Sequence, residues 1–78
     1  MISEVEMYEL ARHYLDDSYP DLRGLVDIDT ERTSRGDSGW VVQWNSKRYL
    51  ATREGRDILM GAVPLFVSDD GEVRLLER

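Results

Sequence analysis

Gly39-Trp40-Val41-Val42-Gln43-Trp44-Asn45-Ser46 is the stretch on which the fold turns. Successive side chains of an extended chain point to opposite faces, so Trp40, Val42 and Trp44 fall on one side and Val41, Gln43 and Asn45 on the other. Large apolar groups repeating at every second position need a covering layer, and the tryptophan face is predicted to be the buried one. Just upstream, Arg35-Gly36-Asp37-Ser38-Gly39 is a cluster of turn formers. Residues 25–33 alternate as well, with Val26, Ile28 and Thr30 on one side and Asp27, Asp29 and Glu31 on the other. The two alternating runs are expected to pair through that turn as a hairpin.

Further toward the N-terminus, Ser3 and Glu6 form a capping box, in which hydroxyl and carboxylate each satisfy a backbone N–H at a helix start. Ile2 and Met7 fit the accompanying hydrophobic staple. Met7, Leu10, Ala11, Tyr14 and Leu15 then recur along one helical face, which predicts a helix over 4–17 that Pro20 stops. On the other side of the tryptophan run, Asn45-Ser46-Lys47 is a second turn candidate, and 48–51 is expected to be a short strand or the end of a long ribbon. A helical turn over 52–60, capped by Thr52 and closed by Gly61, precedes a strand over 63–67 in which Pro64 is tolerated on an edge. Asp69-Asp70-Gly71 is a hairpin turn that returns the chain as a last strand over 72–76. This order predicts one α+β domain over 1–78, an N-terminal helix packed on a small antiparallel sheet of about four strands. Met7, Leu10, Ala11, Tyr14 and Leu15 are expected to pack on Val26, Ile28, Trp40, Val42, Trp44, Leu65, Val67, Val73 and Leu75.

Composition narrows the function. The chain has 78 residues, of which 41% are hydrophobic, so it can fill one small core. With no cysteine and a single histidine, thiol catalysis, disulfides, thiolate zinc and two-histidine metal sites are excluded. The N-terminus carries acids where an export signal needs positive charge, and the longest apolar stretch, 59–67, is interrupted by Gly61 and Pro64. A soluble, cytoplasmic chain with no membrane contact is expected. The net charge of −6 is unevenly spread: 1–31 hold nine acids and two bases, 32–56 two acids and six bases, and 57–78 five acids and two bases.

The second half has a recognisable pattern. Residues 39–46 with Tyr49, then Gly61-Ala62-Val63-Pro64-Leu65-Phe66-Val67 and Asp70-Gly71-Glu72-Val73, resemble the immunity protein 35 family, also described as YrhB-like. Those bacterial proteins share a tryptophan-bearing strand, a Gly-x-x-Pro before a hydrophobic strand, and a closing Asp-Gly turn. The family often carries Asn after the glycine, where this chain has Ala62. The resemblance covers roughly 36–76 and implies a protein that binds and neutralises a bacterial toxin, without chemistry or a cofactor of its own.

The residues themselves offer little for catalysis. Asp16-Asp17 and Asp69-Asp70 are adjacent carboxylates, but neighbours on a helix diverge by about 100° and Asp-Asp-Gly is an ordinary turn. His13 lies off the apolar helix face with no second histidine or nucleophile beside it. No enzyme activity, metal or cofactor is therefore expected. Two surfaces remain as candidates. Asp27, Asp29 and Glu31 form an acidic row expected on a solvated strand face, suited to a cationic protein partner, here a toxin domain. Lys47, Arg48, Arg53 and Arg56, with Trp40 and Trp44 as stacking platforms, are the rival, a single-stranded nucleic-acid site that the acidic balance opposes. A small chaperone-like stress protein is the third reading.

Overall fold

In the computed structural model, which describes residues 1–76, the capping box forms as its chemistry requires. Glu6 N donates to Ser3 Oγ at 3.1 Å, and Ser3 N donates to Glu6 Oε1 at 3.2 Å. Helix α1 runs Glu4–Ser18, and Pro20 opens a 3₁₀ turn over Pro20–Leu22. There follow β1 (Val26–Ile28), β2 (Ser34–Arg35), β3 (Gly39–Val42), β4 (Trp44–Ser46), helix α2 (Lys47–Thr52), a 3₁₀ turn (Gly55–Asp57), β5 (Leu65–Ser68) and β6 (Val73–Leu75). An α+β fold results, but its strands are divided between two antiparallel sheets. One has four strands in the order β2-β3-β5-β6, and the other pairs β1 with β4.

The tryptophan run is what divides them. Arg35 pairs with Trp40 across a tight turn in which Gly36 N donates to the Gly39 carbonyl at 2.7 Å, so the predicted turn closes a hairpin. Its upstream arm, however, is only β2. The alternating segment expected in that place ends as a strand at Ile28 and pairs instead with β4, Ile28 opposite Trp44 and Val26 opposite Ser46. Gln43 marks the exchange: its N–H donates to Thr33 Oγ1 at 3.3 Å and its carbonyl accepts from Asp29 N at 2.8 Å.

Helix α1 buries Met7, Ala11 and Leu15 against Ile28, Trp40, Val42, Trp44, Leu65 and Val67, with Leu10, Tyr14, Val26, Val73 and Leu75 half-buried around them. The tryptophan face is therefore core, as expected. Two local predictions change. Residues 48–51 are helical rather than extended, because Ser46 Oγ accepts from Tyr49 N at 3.0 Å and caps α2. That helix ends at Arg53, whose φ of 57° turns the chain away, so 52–60 holds only a 3₁₀ turn. Tyr49 thereby becomes a core residue that the pattern did not suggest.

Trp44 joins the parts. Its Nε1 donates to the Val63 carbonyl at 2.7 Å, and its ring packs against Tyr19 with centroids 5.3 Å apart. Beside it, Asn45 Oδ1 accepts from Leu59 N at 2.7 Å and Ser46 Oγ donates to the Asp57 carbonyl at 2.7 Å. Three consecutive β4 side chains thus staple the irregular connection between α2 and β5. Gly39 has a different role: a Cβ there would lie 2.3 Å from the Val67 carbonyl oxygen, so only glycine lets β3 and β5 approach.

Trp44→Ala is expected to cost about 3–5 kcal/mol, the usual range for emptying a buried aromatic site. Trp44→Phe, which keeps most of the volume and loses one hydrogen bond, should cost much less. Gly39→Ala should cost about 1–3 kcal/mol through overpacking. Urea unfolding of the three variants checks the order; a Trp44→Ala protein that melts like its parent refutes the core assignment.

Candidate protein-binding surface

The acidic row is not a row. Asp29 lies beyond the end of β1 and is only 4% exposed, with both carboxylate oxygens held by one guanidinium: Arg53 Nη1 to Oδ2 at 2.7 Å and Nη2 to Oδ1 at 3.0 Å. The expectation of a solvated Asp29 is thus corrected. The hydrogen bonds from Arg53 hold its carboxyl below the usual range, against the opposing effect of burial. Asp27 is half-exposed and bound to Arg12 Nε at 3.1 Å and to Ile28 N at 2.8 Å. Glu31 is 80% exposed and meets Arg53 Nη2 at 3.2 Å. The alternation misled because it runs past the point where pairing with β4 stops.

The same contacts dismantle the basic segment. Arg53 is spent on Asp29 and Glu31, Arg48 lies 3.5 Å from Asp57, and Arg56 lies 2.7 Å from Glu54. Only Lys47 of the four cations lacks a carboxylate partner among the described residues. Trp40 and Trp44 are buried and offer no face to a base. His13 forms an exposed i,i+4 pair with Asp17 at 3.1 Å, and Asp69 pairs with Arg35, which lowers its pKa. Among the described residues no group of three or more His, Asp or Glu is placed to hold a metal, and no helix is long and apolar enough to cross a membrane.

Two exposed features are left. The first is the outward side of α1, where Glu6, Glu9, Asp16 and Asp17 share one face and Asp21 continues it on the following turn. The second is apolar. On the face of the four-stranded sheet opposite α1, Val41, Phe66 and Arg74 lie in cross-strand register, and Leu76 N bonds to the Pro64 carbonyl at 2.7 Å one step further along. Pro64 and Leu76 floor a groove of about 480 Å³ whose wall is the stapled connection with Ile58, Leu59 and Met60. Met60 is 83% exposed there. The first was visible in the sequence as the excess of acids over 1–31, to which Glu9, Asp16, Asp17 and Asp21 contribute; the groove was not read from it as a site, although the apolar run over 59–67 was its visible trace.

The family model described as immunity protein 35 matches residues 6–76. The chain belongs to the immunity protein 35 family. No curated protein and no solved structure matches it. The match reaches upstream of the resembling segment to take in nearly all of α1, so the acidic helix and the apolar sheet face of this immunity protein 35 member both lie within the shared region.

The burial of Asp29 makes stability depend on pH in a defined direction. Its folded pKa lies below the ordinary 3.8, so its contribution is complete above that value and is lost as pH falls through the lower folded one. Asp29→Asn should lower the melting temperature by several degrees near neutral pH, with the difference narrowing in strong acid, whereas Glu31→Gln should melt close to the parent. Thermal denaturation across an acid pH series distinguishes the two.

Proposed function

We propose that this chain is a non-enzymatic, cytoplasmic immunity-type protein that neutralises a bacterial toxin by forming a complex with it. Membership of the immunity protein 35 family across residues 6–76 carries the reading. The distribution of charge supplies a physical route. Seven arginines are occupied by carboxylates of this same chain, while Glu9, Asp16 and Asp21 make no ion pair among the described residues and stand exposed on and just after α1. In a chain of net charge −6 whose residues 1–31 hold nine acids and two bases, such a surface steers a cationic partner and raises the association rate more than the affinity. Of the acids Asp27, Asp29 and Glu31, we assign the exposed Glu31 and the half-exposed Asp27 to the margin of this partner-binding surface, and Asp29 to the fold.

The test is co-expression with each candidate toxic domain that sequencing finds encoded beside this gene. Growth should be rescued and a complex should co-purify; failure of both refutes the reading. In the purified pair, Glu9→Gln, Asp16→Asn and Asp21→Asn together should leave melting unchanged, since such exposed charges stabilise little. Association at low salt should slow by about ten-fold, the lower end of steering effects, and its salt dependence should flatten.

A further inference from the structure

The face of the four-stranded sheet turned away from α1 carries the partly exposed Val41, Pro64, Phe66 and Leu76 together with the exposed Arg74. Arg12, Arg23, Arg32, Arg35, Arg48, Arg53 and Arg56 each lie within 4.0 Å of a carboxylate. Arg74 is the only arginine among the described residues that does not. Its guanidinium is held 5.0 Å from the centroid of the Phe66 ring, its cross-strand neighbour on this face. Stacking of this kind pre-orients a planar fork that binds a carboxylate through two parallel hydrogen bonds. In a chain with 16 acids and 10 bases, a guanidinium with no carboxylate partner among the described residues is free to meet a carboxylate of another molecule.

The groove lies one strand repeat away. Phe66 and Arg74 are paired, and Pro64 and Leu76 follow two residues along on the same face. Side chains two apart on a strand are separated by about 7 Å. The groove's volume of about 480 Å³ falls in the range of sites that bury apolar groups. Its wall is fixed rather than loose, because Trp44, Asn45 and Ser46 staple the connection that forms it. Apart from Asn45, the side chains that line the groove are apolar.

We propose that this face docks an extended segment of a partner protein carrying a large apolar side chain for the groove and, two residues away, an aspartate or glutamate for Arg74. The inference rests on the immunity reading for the partner's identity as a toxin, but the face itself is testable without it. The two surfaces act at different ranges: the acidic helix draws in a cationic protein, and the groove with Arg74 holds one local segment of it.

A displayed library of random heptapeptides selected on the full chain is the first arm. It should enrich peptides with a large apolar residue two positions from Asp or Glu. Met60→Asp and Arg74→Glu, both at exposed positions and checked for parental melting, should each weaken these peptides at least ten-fold, and Arg74→Glu should recover binding when the peptide acid is changed to lysine. No enrichment, enrichment of basic peptides, or binding that survives both substitutions overturns the proposal. So does a parent that sediments as a dimer and is dissociated by Met60→Asp, which assigns the face to a second copy. The second arm repeats the substitutions in the complex with whichever toxin domain co-purifies with the parent in the co-expression test. A ten-fold or greater loss supports the face; unchanged affinity of both variants overturns it while immunity stands. Peptides captured at this face alongside a toxin that the parent does not bind leave the face supported and refute the immunity reading instead.

Discussion

Trp44 sits where the separate parts of the chain meet. Its ring is enclosed between the end of α1 and the small β1-β4 sheet, and its indole N–H reaches across to the Val63 carbonyl just before β5. A buried indole needs a partner for that N–H, and the partner it finds belongs to a segment with no regular structure of its own. The contact therefore does two things: it seals the core, and it places the connection over 53–64. Asn45 and Ser46 extend the same effect, since backbone groups of Asp57 and Leu59 that no strand satisfies are bonded by their side chains. Removing the staple would free the wall of the apolar groove as well as opening the core.

Charge is organised by the same economy of short contacts. Self-repulsion in an acidic molecule is countered here by short contacts, since most of its arginines lie against particular carboxylates. The Asp29 and Arg53 pair is bidentate and the most buried of these, joining the end of β1 to the left-handed cap of α2. Among the described residues, the groups without an ion-pair partner include Glu9 and Asp16 on the outside of α1 and the Arg74 guanidinium on the opposite side of the four-stranded sheet. These are the two surfaces on which the proposed binding role rests.

The elements were legible where a single local interaction decides them. The capping box at Ser3 and Glu6, the heptad-like run from Met7 to Leu15, the turn at Gly36 and the Asp-Gly turn before β6 all involve neighbours within a few residues, and the structure has each of them. The burial of Trp40, Val42 and Trp44 was legible for the same reason, since alternation is a local property. Family membership followed from those same residues. The candidate surfaces were not legible to the same degree, because an acid reads alike whether it faces water or an arginine twenty-four residues away in sequence.

By itself, then, the sequence determined the helix, the turns, the buried tryptophan face, the α+β class and the absence of thiol chemistry, all of them consequences of spacing and composition. Tertiary structure decided which strand pairs with which, and with that the fate of the polar side chains. Because the tryptophan run serves two sheets, β1 was moved from the predicted hairpin to β4, Asp29 was carried past the end of the strand into the reach of Arg53, and Ser46 became a helix cap. Each of these depends on groups far apart in the chain arriving at the same place. Hydrogen bonds and ion pairs act only over a few ångströms, so their partners are set by where the backbone has already been packed.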